Sequence, residues 1–219
     1  MIEAKSWVYA HIPRTAGDIV TQMARNLENK IPGCVVDNLD VPNKHDSFTE
    51  RVGPDDQRRR VMTIRRLPYW ILSYTEMLRS YGVHPAFKPI NVPENEMTDR
   101  QIIRDPSPWY PELGNSLACI ADGYLKKFGP ADVYLRCECV VWDFLSFISL
   151  QEGLSRTILR SASRQAHTEV DLVKIKLKYN RNIRREFGRN LRQVYVNNPQ
   201  WAALEKRIYG NIPTRSEST

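Results

Sequence analysis

The sequence predicts an α/β fold, a central parallel sheet with helices on both faces, and three observations predict it. Apolar strand candidates at Trp7–Tyr9, Cys34–Asp37, Val61–Ile64 and Ala131–Cys137 alternate with stretches of helical periodicity. Such alternation is what builds parallel strands joined by crossing helices. The chain has 219 residues, 42% hydrophobic and 26% charged, enough for one well-buried domain of ordinary composition. The stretch Trp7–Leu27, WVYAHIPRTAGDIVTQMARNL, reads as strand, tight turn and helix in direct succession.

The rest of the chain is organised around that stretch. Trp7, Val8 and Tyr9 favour a strand. Pro13 to Gly17 breaks the run, and Gly17 is expected to take a backbone conformation closed to other residues. Ile19, Val20, Met23, Ala24 and Leu27 then recur at helical spacing, which makes one face apolar. A strand feeding a helix through such a turn aims backbone N–H groups and the positive end of the helix dipole at the loop. The expectation is an anion site, to which Arg14 adds a fixed positive charge. A Walker A loop is excluded, because GxxxxGK[ST] needs more than the single glycine present here.

The turn HIPRTAG resembles the phosphosulfate-binding loop of sulfotransferases, HIPKTAG in many carbohydrate-type members. The likeness is to a small, bacterial-like member of that family. It implies a P-loop-like three-layer fold and the sulfuryl donor 3′-phosphoadenosine-5′-phosphosulfate (PAPS), with adenosine 3′,5′-bisphosphate as product. Carried onto this chain, it implies that Arg14, Thr15, Ala16, Gly17 and Asp18 hold the 5′-phosphosulfate, Arg14 also acting on the leaving phosphate. Two departures stand out. Arg14 replaces the usual lysine and brings a planar fork suited to phosphate. Asp18 and Ile19 stand where hydroxyl residues usually touch the 5′-phosphate, and a carboxylate there is unfavourable unless it turns away, as in capping the helix.

Beyond the first helix, Asn38–Glu50 is polar and contains Lys44-His45-Asp46. Loops just beyond strand ends gather the chemistry of open α/β sheets. His45 is the best general-base candidate, since imidazole titrates near neutrality and can accept a hydroxyl proton and be recycled. Many sulfotransferases place a histidine in the corresponding loop, and the Lys44-His45 position is similar. A solvated surface histidine is the bland alternative.

Arg58–Arg60 precede the strand Val61–Ile64, and RRLPYWILSYTEML, Arg65 to Leu78, follows it. Pro68 suits a first helical turn, and Trp70, Ile71, Tyr74, Met77 and Leu78 keep helical spacing. This segment resembles the family's 3′-phosphate signature, RDPxxRxxS. The matching pair is Arg65 and Ser73, eight apart; Arg66-Leu67-Pro68 displaces the usual motif by one. Either Arg65 or Arg66 fits as the ligand, and the spacing to Ser73 favours Arg65. The alternative is a basic edge that is merely solvated.

Residues 83–115 are proline-rich and are expected to form an acceptor-binding lid or a plain loop, with His84, Lys88, Trp109 and Tyr110 available to line it. Leu113–Phe128 reads as a helix stopped by Gly129-Pro130. Val140–Leu150 reads as a strongly apolar helix. The order LR-x-E-x-V-x-x-DF resembles the family's LRYEDL…DF segment, with Cys137 for tyrosine; Glu138 and Asp143 are read as structural. Leu177–Tyr195 and Pro199–Tyr209 are expected to be terminal helices. Lys174, Lys176, Lys178, Arg181, Arg184 and Arg185 are candidates for closing over the donor, although a solvated helix face is the default. Residues 1–211 are expected to form a single domain and 212–219 a disordered tail.

The net charge of +7 suits an anionic ligand and leaves nucleic acid open on charge alone, although the motifs do not call for it. No run approaches the length of a membrane span, and MIEAKSWVYAH carries no signal-peptide pattern, so a cytoplasmic protein is expected. Cys137 and Cys139 are expected side by side on a strand; with no CxxC pair, the four cysteines are read as buried free thiols. No metal is called for.

The reading that combines these expectations is transfer of a sulfuryl group from PAPS to a hydroxyl or amine of a small-molecule or glycan acceptor. Two rivals are a nucleotide-dependent kinase with an unusual phosphate loop and a non-catalytic basic module binding RNA or another polyanion. A sulfotransferase fold that binds donor without turnover lies between them. Neither the acceptor nor the oligomeric state is legible.

Overall fold

The computed structural model describes residues 1–37, 45–53, 55–80, 117–155, 157–158, 161 and 191–211. The expected lid at 83–115, the basic candidates between Lys174 and Arg185 and the tail at 212–219 lie outside the described residues. Helices follow in chain order as α1 (Gly17–Lys30), α2 (Phe48–Arg51), α3 (Leu67–Ser80), α4 (Leu117–Phe128), α5 (Val140–Glu152), α6 (Leu191–Asn197) and α7 (Pro199–Tyr209). The fold is mixed α/β and falls into two units: the described residues of Met1–Arg65 and Lys126–Leu177, and those of Arg66–Leu125 and Lys178–Thr219.

The first unit holds a five-stranded sheet of β1 (Ile2–Ala4), β2 (Trp7–Ala10), β3 (Val35–Asp37), β4 (Arg59–Ile64) and β5 (Val133–Arg136), in the order β3-β1-β2-β4-β5. Strands β2, β4 and β5 run parallel, with Tyr9 opposite Val61 and Thr63 opposite Leu135. Strand β1 is antiparallel to both of its neighbours, β2 and β3. The sheet is therefore mixed rather than wholly parallel. The cause is local: only Lys5 and Ser6 separate β1 from β2, and so short a connection can only form a hairpin.

The core of this unit follows from the apolar stripe of α1. Ile19, Val20, Met23, Ala24 and Leu27 are at most 3% exposed. They pack with Trp7 and Tyr9 of the sheet and with Val140, Val141, Phe144 and Ile148 of α5. Trp7 meets Phe144 and Phe147 edge-on, at 5.8 and 6.0 Å. Each large side chain fully buried here contributes roughly 1.5–3 kcal/mol. All four residues of β2 are buried, so this strand is covered on both faces, as central parallel strands are.

The ends of β2, β4 and β5 lie along one sheet edge, so the residues that leave them, His11, Arg65 and Cys137, emerge on the same side. Cys137 to Cys139 form a 3-10 turn rather than strand, so the expected side-by-side cysteine pair on a strand does not exist. The turn arises because α5 starts at once at Val140, with Asp143 of its first turn accepting the Arg136 main-chain N–H at 2.8 Å and its guanidinium at 2.7 and 2.9 Å. Cys34, Cys137 and Cys139 are free thiols, and among the described residues no cluster could hold a metal. No described helix is long and apolar enough to cross a membrane.

The second unit is helical. Trp70 of α3 stacks on Tyr74 at 4.9 Å and meets Trp201 of α7 at 5.2 Å and Tyr124 of α4 at 5.7 Å. Pro199 opens α7, where its missing N–H is harmless. Asp122 caps that helix from α4, accepting the Gln200 and Trp201 main-chain N–H groups at 3.0 and 2.7 Å. Glu205 is fully buried; it accepts the Leu67 N–H at the start of α3 at 2.8 Å and the Tyr195 hydroxyl at 3.0 Å.

Candidate anion-binding site

The turn between β2 and α1 is built by two non-glycine residues in the left-handed region, Arg14 (φ 67°) and Ala16 (φ 68°). Each such residue costs about 1–2 kcal/mol, and strain of this kind persists where the surroundings over-determine it. Thr15 between them is fully buried. Its hydroxyl donates to the Ile12 carbonyl at 2.7 Å and its N–H to the same oxygen at 3.3 Å. Thr15 thus closes the turn.

Gly17 is not the left-handed residue of the turn. It already belongs to α1, and its need for glycine is spatial. A Cβ at this position would lie 2.0–2.2 Å from Cδ2, Cγ and Nε2 of His11, so the imidazole rests directly on the first residue of the helix. Helix α1 has Ala16 as its N-cap and no side-chain cap bond. A left-handed residue followed by a right-handed one turns successive N–H groups to one side, which makes a concavity that suits an anion. Asp18 lies exposed in the first helical turn, where the helix dipole stabilises its carboxylate. Ile19 is buried in the core and does not substitute for a hydroxyl ligand.

Arg65 leaves the end of β4 and is 4% exposed. Its Nη1 donates to the main-chain oxygen of Arg14 at 3.2 Å, so a buried guanidinium braces the strained turn. Arg66, one residue on, is committed elsewhere, within the second unit. Its Nη2 donates to Oδ1 of Asn211 at 2.9 Å and its Nη1 to the Asn211 carbonyl at 3.3 Å. It also pairs with Glu205 at 3.5 Å and lies 4.5 Å from the centre of the Tyr209 ring. Ser73, the partner the sequence pattern assigns to Arg65, is buried on α3 in the second unit.

His45 is exposed and comes to the turn from the sequence beyond β3. Its Nδ1 lies 3.1 Å from the His11 carbonyl oxygen. A carbonyl only accepts, so the neutral ring carries its proton on Nδ1 and its lone pair on Nε2, the form a general base needs. The two imidazole rings stand 4.8 Å apart, tilted by 53°. The chain beyond His45 is fixed at once by a capping box: Ser47 Oγ accepts the Glu50 N–H at 3.3 Å, and Glu50 accepts the Ser47 N–H at 2.7 Å. The Ser47 main-chain and hydroxyl donors hold the Glu50 carboxyl below its usual range.

Beneath the turn, the Tyr9 hydroxyl and Thr63 Oγ1 are 2.8 Å apart and fully buried. Burial pushes the Tyr9 phenol far above its ordinary value, the charges of Cys137 and Asp18 adding to the effect and the Thr63 bond opposing it. This pair braces neighbouring strands and stays un-ionised.

Three sequence-distant pieces thus meet in the first unit: the turn from His11 to Asp18, His45, and Arg65. His11 is the member that sequence reasoning passed over. The signal was present as a glycine six residues later at the start of a helix, which marks close approach of something bulky. Comparison with protein-family models, with curated protein sequences and with solved structures gives no match for this chain.

Proposed function

We propose that the chain transfers a sulfuryl group from PAPS to an acceptor hydroxyl or amine, on a P-loop-like three-layer fold. The observation that carries the reading is the bond from Arg65 to the Arg14 carbonyl. It joins two motif segments 51 residues apart, both of which resemble donor-binding signatures. The fit to an anionic donor rests on the concave N–H array at Ala16–Asp18, the lack of a side-chain cap on α1 and the buried arginine beside the turn.

In this reading the Ala16–Asp18 backbone holds the 5′-phosphosulfate and Arg14 neutralises charge growing on the leaving phosphate. Arg65 holds the 3′-phosphate; Ser73 enters as its partner from the sequence pattern alone. Nε2 of His45 takes the acceptor proton as the acceptor atom bonds to sulfur. The bond from sulfur to the phosphate oxygen breaks, and adenosine 3′,5′-bisphosphate leaves. Such a transfer asks mainly for positioning and for charge stabilisation, which fixed backbone and arginine donors supply. Asp18 favours one second reading, a fold of this kind that binds the donor without turning it over.

The test is calorimetric titration with adenosine 3′,5′-bisphosphate against ATP-Mg and AMP, using wild type, Arg65→Ala and Ser73→Ala. The expected result is preference for the bisphosphate, lost in both variants. Equal affinity for all three nucleotides overturns the reading. Binding without product formation from PAPS across hydroxyl and amine acceptors supports the non-catalytic variant.

A further inference from the structure

We propose that His11 is the positioning residue for His45: its ring is a platform, seated on Gly17, that holds the His45 imidazole over the start of α1. For its chemistry the inference rests on the sulfuryl-transfer reading; its geometry stands without it.

His11 makes two separable contributions. Its carbonyl accepts from Nδ1 of His45 at 3.1 Å, which selects the tautomer. Its ring, 4% exposed, faces the His45 ring at 4.8 Å, which selects the orientation. His45 itself is exposed; beyond it Asp46 pairs with Arg51 at 3.7 Å and Ser47 opens the capping box of α2. A hydrogen bond at Nδ1 fixes one atom of an exposed imidazole, and a contact against the ring fixes its plane. The His11 ring is such a contact: two imidazoles packed at 4.8 Å and tilted by 53° limit each other's rotation without consuming a nitrogen.

The ring of His11 is in turn fixed by what lies under it. A Cβ on Gly17 would fall 2.0 Å from His11 Cδ2, far inside any tolerable contact. The glycine is therefore the seat of the platform, and three residues form a chain of support: Gly17 carries His11, and His11 carries His45. The arrangement predicts a coupling between positions 17 and 45 that runs through His11. Enlarging position 17 must lift the ring and release His45. Removing the ring must make position 17 indifferent to size.

The test reads the His45 imidazole directly by nitrogen-15 NMR, together with steady-state kinetics. In wild type the expected signature is one dominant tautomer protonated at Nδ1. In His11→Ala the carbonyl remains, but without the platform the His45 ring turns away from it part of the time and the Nδ1 bond is made only intermittently; the expected result is a signature averaged between tautomers, and about a 10²-fold loss of kcat with donor KM nearly unchanged. His11→Phe restores a ring face without titratable nitrogens and is expected to retain the wild-type signature. In the His45 NMR signature, Gly17→Ala is expected to behave as His11→Ala, and adding it to His11→Ala to change that signature no further. Should His11→Ala not fold, His11→Leu, which fills the same space without an aromatic face, gives the same comparison. An unchanged His45 signature in His11→Ala or His11→Leu overturns the proposal. Altered NMR signatures in a protein that transfers no sulfuryl group leave the positioning role standing and remove the enzymatic reading.

Discussion

The guanidinium of Arg65 donates to the main-chain oxygen of Arg14 at 3.2 Å, tying the end of β4 to the strained turn between β2 and α1. A buried arginine in this place does two jobs: it satisfies a carbonyl in a left-handed turn, and it sets a fixed positive charge beside the N–H array of the helix. Arg65→Lys keeps the charge but not the fork. It is expected to weaken bisphosphate binding by about tenfold or more, since charge-assisted bonds contribute about 1.5–3 kcal/mol. Titration calorimetry checks it, and Kd values equal to wild type would remove Arg65 from the site.

Arg66 offers the matching control. Its bonds go to Asn211 and Glu205, and its guanidinium lies over Tyr209. Arg66→Ala is expected to lower the denaturation midpoint while leaving bisphosphate affinity near wild type. A loss of affinity as large as that of Arg65→Ala would reverse the assignment between the two arginines.

Asp18 opposes an anion at the helix start. Its carboxylate sits in the first turn of α1, where the dipole stabilises it by roughly 0.3–1 kcal/mol. Asp18→Ser removes the repulsion and restores a hydroxyl at a position where the resembling family carries one. The expected outcome is several-fold tighter bisphosphate binding with a slightly lower Tm. Weaker binding would show that the carboxylate is part of the site.

Much of the first unit was legible because its signals are local. The spacing of Ile19, Val20, Met23, Ala24 and Leu27 gave α1, and the alternation around Val61–Ile64 gave β4. The strand β1 was missed because Ile2–Ala4 is three residues long and its pairing depends on β2 and β3. Ser47–Glu50 carried the capping-box pattern S-x-x-E in plain view, yet the segment read as loop because α2 spans only four residues. The role of Gly17 was misplaced from backbone freedom to bulk, since only a folded chain shows what occupies the space of a missing Cβ. The contact of Arg65 with Arg14 has no local signal; family resemblance suggested that the two segments cooperate, and the sheet register brings them together.

Stability should form a plateau with flanks set by named groups. Hydrogen bonds from Gly33 and Val35 hold Glu28 low, the Ser47 donors hold Glu50 low, and the Arg58 guanidinium holds Asp56 low. Groups so depressed stabilise the fold above their ordinary values of 4.5 and 3.8, and the contribution is lost as pH falls further. Glu50 is exposed and Glu28 and Asp56 are partly so; solvent screens such surface interactions, so each contributes little. Burial raises the Cys34 thiol and the Tyr9, Tyr124 and Tyr195 hydroxyls above ordinary values of 9.0 and 10.0. Groups so raised stabilise the fold below those values and lose that contribution as pH rises past them. Urea midpoints measured across pH should fall on both flanks, with the steeper fall on the alkaline side. The share of the alkaline tyrosine absorbance that belongs to these three of the ten tyrosines should rise only with unfolding; ionisation of all ten in the folded protein would contradict this.

Glu205 gives the sharpest stability prediction in the second unit. It is fully buried, and it joins two parts of the chain: the Arg66 guanidinium and Leu67 N–H where α3 opens, and the Tyr195 hydroxyl of α6. Removing the carboxylate takes the acceptor from the Leu67 N–H and the Tyr195 hydroxyl, at about 1–3 kcal/mol each, while Arg66, 22% exposed, keeps its bonds to Asn211. Glu205→Ala should therefore unfold this unit or shift its urea midpoint strongly. Glu205→Gln keeps an oxygen for Leu67 but loses the charge facing Arg66, and is expected to cost about 1–3 kcal/mol. Its second readout is Tyr195. Burial is the main cause of the raised Tyr195 value, and the Glu205 charge and hydrogen bond add to it. Neutralising Glu205 removes the charge while burial, the larger cause, remains, so in Glu205→Gln the Tyr195 hydroxyl stays raised but less so, and its ionisation should begin at lower pH than in wild type. A Glu205→Gln variant with unchanged midpoint and unchanged tyrosine titration would mean that the carboxylate neither caps α3 nor faces Tyr195 in solution.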